Sequence, residues 1–409
     1  MKKASRIIAL MLILVMVLAL CACGESAPAQ SASSGSSSTA AAPAADDGVA
    51  KTNRKIGTNQ LMLGAYALDI ITTAARQVSD ICGDELIVAN DEMNVEKIIA
   101  DVENFIASDV DAIFWWGLLE TNFAVGPQKA EAAGIPIAFP DKIPPEGELT
   151  DNIREMKMYA GGVGAADYLA GVNLGNYALE LGCTKALIGG AEIGDTTHEP
   201  RIEGFTEVFT AGGGQVIEGG IYRGGSGADA NTAIDNLIAA HPEADCFFGS
   251  GGDYALAAVS VCATMGRDDI KVLAVDIGPD LLPYLEDGSL AAGCGAHWVT
   301  GMYAMIMLEN YLDGGPMLDA DGKVGIIRNT QLIVVPANMA KLYEKFWIDE
   351  FPYEESEIKA LLYRYNPDVT LADLQKVVDS YSMEDRLIAK YNAGKVTAEE
   401  LAAVGINVG

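Results

Sequence analysis

Histidine is scarce in this chain, three residues in 409, and no HExxH or comparable cluster gathers them, so a zinc site lacks its ligands. Paired cysteines are missing as well. Beyond Cys21 and Cys23 stand Cys82, Cys183, Cys246, Cys262 and Cys294, an odd five without a CxxC pair. Several lie in apolar runs, which reads as buried thiols rather than a disulfide framework or metal site. Basic residues are few: 27 Lys and Arg stand against 57 Asp and Glu, a formal charge of −30. Such a surface repels phosphate backbones and anionic headgroups and argues against nucleic-acid binding. Neither a GxSxG elbow nor a P-loop occurs. Gly161-Gly162-Val163-Gly164 and Gly212-Gly213-Gly214 miss the dinucleotide fingerprint and read as loop punctuation. No cofactor and no metal is implied.

What is present begins at the N-terminus. Lys2, Lys3 and Arg6 precede an apolar run from Ile7 to Leu20, too short to span a bilayer comfortably but suited to a signal segment. Leu20-Cys21-Ala22-Cys23 resembles a bacterial lipobox, predicting a lipoprotein signal over 1–22 and a lipidated Cys23. Cys21, preceded by bulky Leu20, is the rival, and an ordinary cleaved leader without lipid is the alternative. Losing the leader takes the charge to −33. The Ser-, Ala-, Gly- and Pro-rich stretch that follows cannot bury enough apolar surface to fold and reads, to residue 53, as a flexible linker. Its reach is on the order of 30 Å. No later stretch approaches 18 continuous apolar residues, so the remainder is expected to be soluble, outside the cytoplasm, and held at the membrane by its lipid.

The remaining chain exceeds what one hydrophobic core usually serves, so two lobes are expected. Short apolar runs alternate with helical periodicity, the βαβ pattern of a parallel sheet with flanking helices. The strongest helix spans Asn94–Ser108, with Val95, Ile98, Ile99, Val102, Phe105 and Ile106 on one face. Strands are expected at Ala112–Trp116 and Ile135–Phe139. A second series begins near Met156, with strands near Lys185–Ile188, Gln215–Ile221, Cys246–Phe248, Ile270–Val275 and Ala291–Cys294. Residues 336–409 read as a helical C-terminal extension.

The residues then suggest a family. Ile87-Val88-Ala89-Asn90-Asp91 and Asp111-Ala112-Ile113-Phe114 resemble the first lobe of the type I periplasmic sugar-binding proteins. Gly134-Ile135-Pro136-Ile137-Ala138-Phe139-Pro140-Asp141 is similar to that family's turn into an inward-facing aspartate. Arg201-Ile202-Glu203-Gly204-Phe205 resembles the start of a second-lobe helix, and Val272-Leu273-Ala274-Val275-Asp276 with Pro279-Asp280 its second binding aspartate. The resemblance runs from about residue 54 to 335. It implies an α/β fold of two Rossmann-like doubly wound lobes, 54–158 with about 297–335, and 159–296. Three crossovers near Tyr159, Ala296 and Gly325 would form a hinge, with ligand held between the lobes. It further implies a monomer that delivers ligand to an ABC permease and its ATPase.

In open parallel sheets ligands bind beyond the carboxyl ends of the strands, where Asp141 and Asp276 fall. A carboxylate can accept from neighbouring hydroxyls of one sugar, and Arg201 is a rigid fork of donors. The competing readings are helix caps for both aspartates and a surface pair of Arg201 with Glu199 or Glu203. Of Trp115 and Trp116, alternation lets one face the cleft, and family position favours Trp116, whose indole suits sugar C–H faces. His198 and His297 fall near ligand-proximal family positions, and Tyr66 stands where the family carries an aromatic pair. Gly251 and Ala296 depart from the ribose-binding pattern, so a bulkier ligand is expected around Ala67, Gly251 and Ala296. The expected role is non-enzymatic capture of a small polar ligand, a carbohydrate first, for import. Presentation to a receptor or histidine kinase, and a non-sugar or furanose signal ligand, are the alternatives.

Overall fold

The side chain of Asn94 accepts the Glu96 backbone N–H and caps the helix Val95–Ala107, filling one of the positions a helix start leaves unpaired. Ile98, Val102 and Phe105 are buried beneath that helix, Ile99 and Ile106 half-buried, and Val95 exposed. The same local logic generates the rest of residues 48–408, which the structure, a computed structural model, describes. The leader, Cys23 and the linker to residue 47 lie outside the described residues. From Val49 the chain forms one compact unit. Anchoring starts inside the expected linker: the Thr52 N–H donates to Cys82 O at 3.1 Å and Lys51 to Ile81 O.

Twelve strands are described: β1 Lys55–Gln60, β2 Glu85–Asn90, β3 Ala112–Phe114, β4 Ile137–Asp141, β5 Tyr159–Ala165, β6 Lys185–Gly190, β7 Gln215–Arg223, β8 Cys246–Gly249, β9 Lys271–Val275, β10 Leu290–Gly295, β11 Ile326–Thr330 and β12 Ile333–Pro336. They form two six-stranded sheets, ordered β11-β5-β4-β3-β1-β2 and β12-β10-β9-β8-β6-β7. Pairing is parallel except between β12 and β10. β4 and β8 are buried along their whole length, as sheets covered on both faces require. The two orders superimpose position by position, so β4 corresponds to β9 and β5 to β10.

Three expectations need correction. Gly161–Gly164 is not loop punctuation but the middle of β5, in the first sheet, so the chain leaves that sheet after Ala165 rather than near Tyr159. The glycines serve close packing: a Cβ on Gly161, whose φ is 133°, would stand 2.6 Å from the Met307 side chain, and one on Gly164 2.6 Å from Ile143. The third crossing falls between Thr330 and Ile333, not around Gly325. The second lies at Ala296, between β10 and the helix Val299–Leu312, which packs on β4 and β5.

Beyond Pro336 the described residues contain helices and no strand, including a π-helical turn at Glu344–Asp349. Capping boxes start three of them, at Glu354, Thr370 and Thr397. The five cysteines outside the leader are buried and free. No described helix is long and apolar enough to cross a membrane.

Charges are buried where this segment meets the first sheet. Glu309 lies 3.3 Å from Arg54 and 3.5 Å from Arg364, and Asp313 pairs with the same arginines at 2.6 and 2.7 Å. Asp84 adds a third carboxylate, 3.7 Å from Arg54. Glu309 Oε1 and Asp84 Oδ2 are buried without a donor among the described residues. Burial first, then the Asp84 charge, push Glu309 up to about 8, and a proton between the two carboxyls satisfies both. The folded value lies above the ordinary 4.5, so this contribution to stability is complete below that pH and is lost as pH rises through about 8. Glu309→Gln keeps a donor toward Asp84 and is expected to flatten the decline in unfolding free energy between about pH 5 and 8. Denaturant titrations across that range check it; an unaltered pH slope would refute the bound proton.

Candidate functional site

Asp141 ends β4 and Asp276 follows β9, so the two carboxylates occupy corresponding places in the two sheets. Both adopt left-handed backbone, with φ of 58° and 71°, which aspartate tolerates better than most residues. Neither caps a helix: the next caps are Gly147 and Leu281. The strained backbone places both acids at the strand ends, beside one cavity.

His297, two residues beyond β10, joins them. Its Nε2 is 3.6 Å from Asp141 Oδ1 and its Nδ1 3.7 Å from Asp276 Oδ1. Arg201 belongs to the buried interior rather than to a surface pair; Glu199 pairs with Arg223 instead. Its Nε donates to Asp167 Oδ1 at 2.9 Å, and its Nη1 to Ser250 O at 3.0 Å and Asp276 Oδ2 at 3.3 Å. Lys142 donates to the other Asp167 oxygen. Burial alone would raise the Asp167 pKa, but Arg201 and Lys142 outweigh it and hold the carboxyl at about 2. Asp167 is thus a fixed anion that pairs with both cations, Arg201 being shared with Asp276, and among the described residues no donor reaches Asp141 Oδ1.

Trp115 and Trp116 follow β3, which ends at Phe114 rather than at Trp116, yet they still point to opposite sides. Trp115 lies edge-on to Phe123 and Phe139, and its Nε1 donates to Ile98 O at 3.1 Å. Trp116 lines the cavity. Its backbone is clamped by Asn59, which accepts the Trp116 N–H at 2.9 Å and donates to its carbonyl at 3.2 Å. Asn59 also donates to Asp91 at 2.7 Å; burial pushes Asp91 up to about 7.

Trp116, Asp141, Arg201, Asp276 and His297 all line one cavity of about 470 Å³, with Leu61, Leu68 and Met93 among its apolar members. Ala67, His198 and Asp276 also border a second space of about 710 Å³, which reaches Tyr66, Gly251 and Pro279. His198 bonds Ser250 Oγ at 2.9 Å and meets Tyr254 edge-on; burial lowers its pKa, leaving a neutral ring. Burial raises Tyr66, whose hydroxyl finds no partner among the described residues. Ala67 and Gly251 line this cleft, whereas Ala296 is buried outside the lining.

Sequence reasoning missed Asn59, Asp91, Lys142, Asp167 and Ser250. A signal existed for one of them. Asp167 stands two residues beyond β5 as His297 stands two beyond β10, a correspondence that needs β5 to be recognised as a strand.

Comparison with known proteins follows this geometry. A family model described as periplasmic binding protein domain matches residues 65–316. The ribose import binding protein of Escherichia coli K12 is 25% identical over 224 residues, 53% of this chain and 71% of that protein. Among solved structures, the arabinose-transporter binding protein of Shewanella sp. ANA-3, bound to L-arabinofuranose, has a TM-score of 0.61 at 20% identity, covering 75% of this chain and 97% of that one. A solute-binding protein of Actinobacillus succinogenes with bound D-allose has a TM-score of 0.61 at 20% identity, covering 71% of this chain and 100% of the other.

Proposed function

The chain belongs to the family of periplasmic binding protein domains, and on that premise we propose that it captures a small polyhydroxylated ligand, a carbohydrate, between its two sheets and hands it to an ABC importer. One observation carries the reading. Asp141 Oδ1, Trp116 Nε1 and His297 Nδ1 are buried at the same cavity without a hydrogen-bond partner among the described residues. Buried polar groups are rarely left so. Sugar hydroxyls both donate and accept, so one ring can serve an acceptor carboxylate, an indole N–H and an imidazole together. The Trp116 ring adds a surface for C–H faces.

Trp116 and Asp141 stand at strand ends of the first sheet, Asp276 at a strand end of the second, Arg201 on the helix His198–Ala211 that packs against the second sheet, and His297 at the crossing between them. A ligand that touches both sides favours the conformation in which they are close, and an importer can recognise that conformation. No chemical step belongs to this role. The reading also includes the lipid at Cys23, which would keep the binder beside its membrane partner outside the cytoplasm, as a monomer. Likeness to ribose import binding proteins supports the import role.

A thermal-shift screen of the full chain with D-ribose, L-arabinose, D-allose and myo-inositol tests the ligand class. Binding raises stability by about 2.7 kcal/mol at a hundred times the dissociation constant. No shift with any of them, nor with a wider set of sugars and polyols, would overturn the carbohydrate reading. Hydrolysis of a glycoside would replace it with an enzyme.

A further inference from the structure

We infer that the C-terminal segment beyond Pro336 is part of the binding machinery, with Tyr381 and Tyr343 as positioning residues for His297 and Asp276; the inference rests on the cleft being the ligand site. Tyr381 is buried, accepts from Trp347 Nε1 at 3.0 Å and donates to Ala296 O at 2.8 Å. Its hydroxyl is therefore oriented at both ends. Ala296 immediately precedes His297 at the crossing, and its φ of 60° is costly for alanine. The tyrosine holds the peptide that carries the histidine in that conformation. Tyr343 does the same on the other side, donating to the carbonyl of Ile277, next to Asp276, at 3.2 Å.

The clasp is itself fastened to the first sheet's helices. Tyr353 stacks on Tyr381 with ring centres 6.2 Å apart and shares a hydrogen bond with Tyr303 on the helix Val299–Leu312. Asn310 of the same helix donates to Leu361 O at 2.8 Å and accepts from the Tyr363 N–H at 2.7 Å. Arg364 grips Asp313 and the carbonyl of Cys82. Trp298, one residue past His297, packs on Phe351 at 5.0 Å. The segment thus runs from the first sheet's helices to the two peptides that present cleft residues.

Tyr381→Phe deletes one oxygen and keeps the ring. In the full chain without ligand, hydrogen exchange over residues 294–300 is expected to accelerate about fivefold or more, the factor an ordinary hydrogen bond commands, with β1 and β3 unchanged. Leu374→Ala, in the buried face of the helix Leu371–Asp379 that packs on β11, serves as a control that loosens the segment without touching the Tyr381 hydroxyl. Calorimetric titration with D-ribose, L-arabinose, D-allose and myo-inositol is expected to show about fivefold weaker binding in Tyr381→Phe and parental binding in Leu374→Ala. The Tyr381→Phe effect should vanish in a His297→Ala background. Unchanged exchange at 294–300, equal acceleration in Leu374→Ala, or unaltered affinity despite faster exchange would each overturn the inference. If none of the four compounds binds the parent, the titration uses whichever sugar or polyol of the wider thermal-shift screen does; if none does, the carbohydrate reading falls separately and the exchange comparison decides the positioning.

Discussion

Asp276→Asn is expected to weaken sugar binding about a hundredfold while leaving the fold intact. Asparagine tolerates the left-handed backbone that residue 276 adopts, so the strand end keeps its path. Arg201 stays paired with Asp167, so no buried cation is stranded. What disappears is the charge that strengthens hydrogen bonds from hydroxyls and one of two acceptor oxygens, worth about 1.5–3 kcal/mol for such a bond. Asp141→Asn, at the corresponding place in the other sheet, should act similarly. Titration calorimetry with whichever sugar stabilises the parent reads the effect. Affinity within about threefold of the parent would remove these carboxylates from the site.

The places where the sequence spoke clearly share a physical cause. A carboxylate directly after an apolar strand is a local pattern, and Asp141 and Asp276 needed only strand assignment to be put at strand ends. Alternation allowed only one of Trp115 and Trp116 to face the cleft, and it was family position that favoured Trp116, the one that lines the cavity. The ionic support was not legible. Asp167 and Lys142 each have an ordinary sequence context, and their pairing depends on β5 lying beside β4. β5 itself was hidden because Gly161, Gly162 and Gly164 carry no hydrophobic periodicity; they are glycines because Met307 and Ile143 occupy the space a side chain would need. The C-terminal segment was readable as helices without a strand. Their docking was not, since Tyr381 and Ala296 are distant in sequence and no local rule pairs them.

Truncation after Pro336 is expected to abolish the cooperative unfolding of the remaining chain. A dispensable appendage would touch the body through a polar, wet boundary, but this boundary is continuous with the core. Tyr343, Phe346 and Trp347 are wholly buried, and Tyr303 and Trp298 of the body are covered by Tyr353 and Phe351. Removing the segment would expose those aromatics and strand Asn310, whose amide serves Leu361 and Tyr363. It would also leave Glu309 and Asp313 with Arg54 alone. A graded version is Trp347→Ala, which deletes a fully buried indole stacked on Tyr343 and bonded to Tyr381, at about 3–5 kcal/mol. Since whole domains are stable by only about 5–15 kcal/mol, that single change should consume a large part of the margin. Guanidinium titration followed by circular dichroism decides the matter: a truncated chain that unfolds in one sharp transition at the parental midpoint would show that the two sheets need nothing beyond Pro336.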